Sequence, residues 1–417
     1  MGAGTFLTER PFAQSKPQQK RALGLDLPLV VAVIAILIFG LVMMFSASWD
    51  YSLLQYGSPM YMFDRQLQWL AVGLAAAAAF ALLNYHRWRK LIVWAMLGTI
   101  GLLIAVLLMN EIRLGAKRAL YEGSYQPSEL AKLITVIYLS VWLYAKRDML
   151  HDISLGLVPL GVILGVIGGL IYLQPDLSAA GTVFLMGGLL FFLAGDDLKQ
   201  IGVVLLIAAA AAWLVVQISP TGHARVTEFL TGLKDPTQAS YHVQRSFEAI
   251  VNGGWLGVGI GKAQSKLTGL PVPPTDSIFA VIVEELGAFG ALILIGLYTA
   301  IIWRGLLIAR RAPDMLGTLL ATGLVLWIGI EAGVNMMVMV GLLPFAGNAL
   351  PFVSSGGSNL VSSLAAIGIL LNISRQRGEI VDEEHEERRS YSAAVDMRRW
   401  NRRRRVSRPR RVRSTER

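Results

Sequence analysis

The chain has 417 residues, of which 54% are hydrophobic and only 16% charged, and its mean hydropathy is +0.54. A soluble domain is rarely that apolar, and apolar runs long enough to cross hydrocarbon as helices recur along most of the length. There is no cysteine, and the five histidines are scattered. Disulfide frameworks, thiolate nucleophiles and cysteine-based metal sites are therefore excluded.

A polar N-terminal tail, residues 1–24, precedes the first apolar run and does not look like a cleavable signal peptide. The apolar runs predict about ten transmembrane helices, at 27–47, 67–84, 91–109, 128–145, 155–173, 178–194, 199–217, 278–308, 314–339 and 358–374. This is an all-α polytopic membrane domain over residues 25–375, with one large loop, 218–277, between the seventh and eighth spans. Residues 376–417 form a tail with an acidic patch (Asp382, Glu383, Glu384, Glu386, Glu387) and then arginines from Arg398 to Arg413. It has too little apolar content to offset chain entropy, so a largely disordered segment is expected. Most of the net charge of +10 sits there. Beside a last helix it reads as a contact with anionic lipid rather than with nucleic acid.

Lys and Arg in the short connections set the orientation. Arg10, Lys16, Lys20 and Arg21, then Arg87, Arg89 and Lys90, then Lys146 and Arg147, then Arg304, Arg310 and Arg311 fall on one side by alternation. That side is the cytoplasm, both tails lie there, and the 218–277 loop is extracytoplasmic. Arg113, Lys117 and Arg118 make the third connection less clean.

Polar residues gather at the outer helix ends. The first group is Arg118 with Gln126-Pro127-Ser128-Glu129-Leu130-Ala131-Lys132. Pro127 suits a first helical turn, Glu129 complements the helix dipole, and Glu129 and Lys132 share a face. Such a pair either locks helix packing or orients a catalytic group or an anionic ligand. Asp176 in Gln174-Pro175-Asp176-Leu177 is both a helix cap and a candidate site residue. In the large loop, Arg225, Tyr241-His242-Val243-Gln244-Arg245 and a glycine-rich stretch, Gly253 to Gly261, come before Leu270-Pro271-Val272-Pro273-Pro274-Thr275-Asp276-Ser277. The glycines resemble a phosphate loop only superficially, because Ala263 rather than Ser or Thr follows Lys262. Asp276 stands at the mouth of the membrane, where partial desolvation makes a carboxylate a stronger base. A helix cap by the Thr-Asp-Ser run is an equal alternative. Glu331, deep in a span, is a functional suspect by position. Glycines before the last span, Gly356 and Gly357, permit close backbone approach.

These groups together resemble the SEDS family of bacterial cell-wall polymerases, which includes FtsW, RodA and SpoVE. The matching motifs are Gly115-Ala116-Lys117-Arg118, Gln126 to Leu133, Gln174 to Leu177, Tyr241 to Gly261, Leu270 to Ala280, Glu284-Glu285-Leu286-Gly287, Asn335, Gly341 to Pro344 and Leu350 to Ser358. Any one is weak; in this order on a ten-helix frame they are specific. Ser46-Ala47-Ser48, and Gly257 to Gly261 before Lys266-Leu267, look more like the division branch than the elongation branch.

The resemblance implies a peptidoglycan glycosyltransferase that polymerises lipid II, the undecaprenyl-diphosphate-linked disaccharide pentapeptide, in the plasma membrane at the division septum. Asp276 is its implied catalytic residue, with Arg118, Glu129, Lys132 and Asp176 in the outer cavity. Arg118, Lys132, Arg245 or a divalent cation (Mg or Mn) would supply the positive charge that a diphosphate leaving group needs. A class B penicillin-binding transpeptidase and other division proteins are the implied partners. A lipid II flippase, an elongation-type polymerase and a non-catalytic scaffold are the alternatives. Three positions depart from the family pattern: Pro274 stands where His is usual, Ala119 where Trp is usual, and Ser355 where Tyr is usual.

Overall fold

The computed structural model describes residues 24–109, 126–150, 152–195 and 216–376, with positions 202, 206, 210, 213 and 214. The described residues form helices α1 (Leu27–Tyr56), α2 (Tyr61–Leu82), α3 (Trp88–Met109), α4 (Pro127–Lys146), α5 (Val158–Tyr172) and α6 (Leu177–Ala194). After these come α7 (Pro220–Gly232), α8 (Tyr241–Gly253), α9 (Ile278–Arg310) and α10 (Met315–Met339), and last α11 (Gly357–Gln376). Among the described residues, nine helices are long and apolar enough to cross a membrane. They match the expected spans in order. The span expected at 199–217 falls mostly outside the described residues, as do Arg118 and its motif, Ala119 and both tails.

The large loop is not structureless. Pro220 occupies the first turn of α7, and the Ser219 side chain accepts from Gly222 N at 3.1 Å. Helix α8 buries Val243, Ser246, Ala249 and Gly253 and exposes Tyr241 and Glu248. Both helices are 13 residues long. Their short, half-polar pattern falls below any spanning signal, so the sequence reads there as loop.

The spans divide into a buried centre and a lipid-facing shell. In the most apolar stretch of each helix, 78% of α11, 67% of α4 and α10, and 61% of α9 lie inside the protein, against 11% of α2. Helix α1 carries Leu27, Val31, Ile34, Ile38, Val42, Phe45 and Trp49 on one exposed stripe. That stripe is unfavourable in water and ordinary in hydrocarbon. Close packing uses glycine: a side chain at Gly40 would meet Phe352 O at 2.7 Å, and one at Gly368 would meet Ala77 O at 2.3 Å. At the end opposite the large loop, Arg304 pairs with Asp26 at 2.6 Å and Tyr85 donates to Asp314 at 2.8 Å.

One break in the spans positions the loop. At Gly287, φ is 69° and the helical course of α9 is interrupted. The amides of Ala288 and Phe289 turn to Gly254 O and Trp255 O, at 2.9 and 3.3 Å. The carbonyls of Glu284 and Glu285, which those amides would have met in an unbroken helix, accept instead from Val258 N and Gly259 N, at 2.9 and 3.0 Å. No backbone group is lost in the exchange, which hydrocarbon demands. The glycine-rich stretch is therefore the backbone partner of a broken helix. Side chains at Gly253 and Gly257 would lie 2.1 and 2.2 Å from carbonyl oxygens of α9.

Gly287→Ala should lower the thermal transition of the purified protein in detergent. At φ 69° and ψ −170° the backbone is in an essentially glycine-only region that costs on the order of 1–3 kcal/mol for an L-residue, and the added carbon would sit 2.3 Å from Trp255 O. Gly296→Ala, in the same helix with nothing within 4 Å, is the control and should leave the transition in place. Equal transitions for the two variants would refute the account of the break.

Candidate functional site

Helix α4 begins at the loop end of the bundle with Pro127 in its first turn, and Glu129 and Lys132 follow on one face. The Lys132 ammonium donates to Glu129 at 2.8 Å and also to Glu331 of α10. Asn359, in the first turn of α11, donates to the second oxygen of each carboxylate, at 2.9 Å to Glu129 and 3.1 Å to Glu331. One ammonium and one amide thus tie three helices through two carboxylates. The Lys132 side chain is 3% exposed and that of Glu331 1%. Glu331 is thereby explained as a partner within this group. The pairing of Glu129 with Lys132 holds, and Glu331 and Asn359 are the members that helical spacing could not reveal.

Asp176 caps α6 as expected, accepting from Ala179 N at 3.2 Å. It also reaches α4, accepting from Gln126 Nε2 at 2.9 Å and Ser128 Oγ at 3.2 Å. Gln126 N in turn donates to Ser358 Oγ at 2.8 Å. The cap therefore belongs to a polar strip that runs from α6 across the start of α4 to the start of α11.

Asp276 stands one residue before the cap of α9. The cap residue is Ser277, which makes no side-chain cap bond; its hydroxyl donates to Pro271 O at 2.8 Å. The Ser of the Thr-Asp-Ser run thus takes the cap position without capping through its side chain. The backbone around it is held from two sides. Asn335 of α10, one turn beyond Glu331, donates to Asp276 O at 2.9 Å and to Asn348 O at 2.6 Å. Ser354 Oγ donates to Thr275 O at 2.6 Å, and Ser355 N donates to Pro274 O at 2.8 Å. Gln66 of α2 holds Ser354 O at 3.2 Å. A side chain at Gly347 would lie 2.9 Å from the Asp276 carboxylate, so only glycine leaves that carboxylate its place. Asp276 itself is half-buried. Pro274 and Ser355, two of the departures from the family pattern, face each other in one hydrogen bond, so the changes fall in a single contact.

Arg245 is paired outside these groups. It projects from α8, pairs with Glu248 at 2.6 Å and packs over the Tyr241 ring at 5.3 Å. Near it, His242 stacks on Phe345 at 4.0 Å. Burial, and next the Arg225 charge, push its imidazole below the ordinary value. Among the described residues no three His, Asp or Glu converge in a group that could hold a metal ion.

The family described as cell cycle protein, of the FtsW, RodA and SpoVE type, matches residues 27–379. A protein of Geobacter sp. (strain M18) named probable peptidoglycan glycosyltransferase FtsW is 34% identical over 364 residues, covering 86% of this chain and 99% of that one. The stage V sporulation protein E of Bacillus subtilis (strain 168) is 33% identical over 358 residues, covering 84% and 97%. Among solved structures, a chain from a peptidoglycan synthase complex described as coordinating polymerization and crosslinking matches with a TM-score of 0.71. It is 28% identical and covers 85% of this chain and 99% of its own. The rod shape determining protein RodA of Thermus thermophilus matches at 0.63, with 26% identity and coverage of 85% and 98%.

The two-to-one ratio of carboxylates to ammonium makes the buried group asymmetric. Lys132→Met strands two carboxylates and should cost about 3–5 kcal/mol, as breaking a buried pair does. Glu129→Gln leaves Lys132 paired one to one with Glu331 and should cost clearly less. Thermal transitions of the two purified variants measure this, and a Glu129→Gln loss as large as that of Lys132→Met would refute it.

Proposed function

The chain belongs to the FtsW, RodA and SpoVE family of cell cycle proteins, and from that membership we propose that it is a peptidoglycan glycosyltransferase of the division type, polymerising lipid II outside the membrane. The observation that carries the reading is the setting of Asp276. Its backbone and that of its two preceding neighbours are fixed by Asn335, Ser354 and Ser355, and it stands half-buried at the start of α9. A carboxylate that is half out of water and held by its backbone suits a general base.

In the reaction, Asp276 takes the proton of the 4-hydroxyl on the acceptor lipid II. That oxygen attacks the anomeric carbon of the lipid-linked donor, and the bond to the diphosphate breaks as the β-1,4 bond forms. In-line attack inverts the anomeric centre. Lys132 is a poor ligand for the departing diphosphate, because its ammonium is already shared by two carboxylates. Arg245, on an outer helix and paired with Glu248, and Arg118, outside the described residues, are the remaining proposed cations. A divalent cation would arrive on the diphosphate itself, since the described side chains do not assemble a resident site for one.

The protein is an integral membrane protein. We further propose that both termini are cytoplasmic, that it works at the division septum, and that a class B penicillin-binding transpeptidase and other division proteins are its partners. The likeness to a chain of a peptidoglycan synthase complex supports the transpeptidase, and the FtsW-named relatives support the division role over the elongation one. A flippase needs a polar path through both leaflets. Toward the far end of α4, Thr135 and Ser140 spend their hydroxyls on carbonyls of their own helix, and the large ionic group stays at the loop end.

Asp276→Asn and Asp276→Ala should abolish polymerisation of lipid II by the purified protein while leaving its thermal transition in place. In the same assay EDTA should lower the wild-type rate and added Mg²⁺ should restore it. Full activity of either variant would remove Asp276 as the base, and indifference to EDTA would remove the cation.

Orientation can be measured directly because the chain has no cysteine. Single cysteines at Thr237 and Ser392 should respond oppositely to an impermeant thiol reagent applied to intact cells, with position 237 labelled. Labelling at position 392 would invert the proposed topology.

A further inference from the structure

The segment that carries Asp276 is a loop closed at its base by two adjacent carboxylates. Glu284 accepts from Gln264 N at 3.0 Å, from Ser265 N at 3.3 Å and from the Ser265 hydroxyl. Glu285, the next residue, accepts from the Lys266 ammonium at 2.8 Å. So residues 264–266, upstream of Asp276, are held to 284–285, downstream of it. Within the loop, Leu270 N donates to Ser265 O at 3.0 Å and Ser277 Oγ donates to Pro271 O at 2.8 Å. The chain between the clamped base and Asp276 therefore has little slack.

The clamp is also fixed to the bundle. Ser46 of α1 donates to the Glu285 carboxylate at 2.6 Å. It accepts from Gly261 N at 3.1 Å and from Lys266 at 3.3 Å, and its carbonyl accepts from Lys266 at 3.0 Å. The side chains of Lys266 and Glu285 are 2% and 0% exposed. An ion pair that buried is costly for what a helix contact needs, and apolar residues would pack as well. Its place is informative too: Glu284 and Glu285 sit immediately before the Gly287 break, where α9 has handed its own backbone bonds to the 258–259 segment.

We propose that Lys266, Glu285 and Ser46 are positioning residues for Asp276: they form a base clamp that holds the loop so that the carboxylate meets the acceptor hydroxyl. The proposal rests on Asp276 being the general base. A clamp of this kind acts on the alignment of the reacting groups rather than on substrate affinity, and misplacement by about 1 Å can cost on the order of a hundredfold in rate.

The test uses the full chain in detergent with lipid II as substrate, and hydrogen exchange on the same preparations without substrate. Lys266→Met and Glu285→Gln should lower kcat by about tenfold or more with KM for lipid II little changed, and Lys266→Arg should recover part of the loss. Ser46→Ala removes one hydroxyl, is expected to fold, and should lower kcat severalfold. In each, the amides of residues 275–277 should exchange faster than in the wild type. Asp276→Glu should be less harmful in the Lys266→Met background than in the wild type, because a longer side chain is misaligned only against a fixed backbone. A folded Ser46→Ala or Lys266→Met protein with wild-type kcat and wild-type exchange at 275–277 would overturn the clamp, as would losses that merely track the folded fraction. A wild-type protein that does not polymerise lipid II would instead overturn the functional reading, and the exchange result would still decide whether the clamp holds the loop.

Discussion

Lys132 sits between Glu129 and Glu331 with no water to turn to, and the loop end of the bundle is arranged around that fact. A buried cation must be paired, and a buried carboxylate must have its remaining lone pairs filled. Asn359 fills them, which draws the start of α11 onto α4 and α10. Its neighbour Ser358 takes Gln126 N, and Gln126 reaches Asp176 on α6. One turn beyond Glu331, Asn335 holds Asp276 O. Because donors and acceptors are shared between neighbouring helices, moving one member displaces the next. The charged group is thus a frame for the loop end.

The second constraint is the backbone. A helix that breaks within the membrane domain must find partners for the peptide groups it frees. Helix α9 finds them by exchanging two pairs of bonds with the 254–259 segment, and the exchange requires glycine where carbon would collide with carbonyl oxygen. The carboxylates just before the break, Glu284 and Glu285, then take the upstream arm of the same loop. Helix break, glycine stretch and paired carboxylates together hold the two arms of a loop whose middle carries Asp276.

The departures from the family pattern are intelligible in this setting. Pro274 has no amide to donate, but its carbonyl accepts from Ser355 N, and Ser355 is the other departure in the same contact. The loop keeps its anchor to the 350s by a backbone bond that does not depend on the side chains exchanged there.

Much of this was legible in the sequence. Apolar runs set the spans, since hydrocarbon thickness translates directly into helix length. The pairing of Glu129 with Lys132 and the capping by Asp176 followed from spacing along one helix or turn, which is local information. The two helices within the large loop were not legible, because at 13 residues their apolar faces carry too few positions to stand out. Nor could spacing assign Glu331 to Lys132 or Ser46 to Glu285, since those partners lie 199 and 239 residues apart in the chain. Composition marked them as costly to bury; only the packing of helices against one another decided which charge each would meet. The same holds for Asp276. The sequence placed a carboxylate at the mouth of the membrane, and only the packing of α10 and the 350s against the loop decided how the backbone that carries it is held.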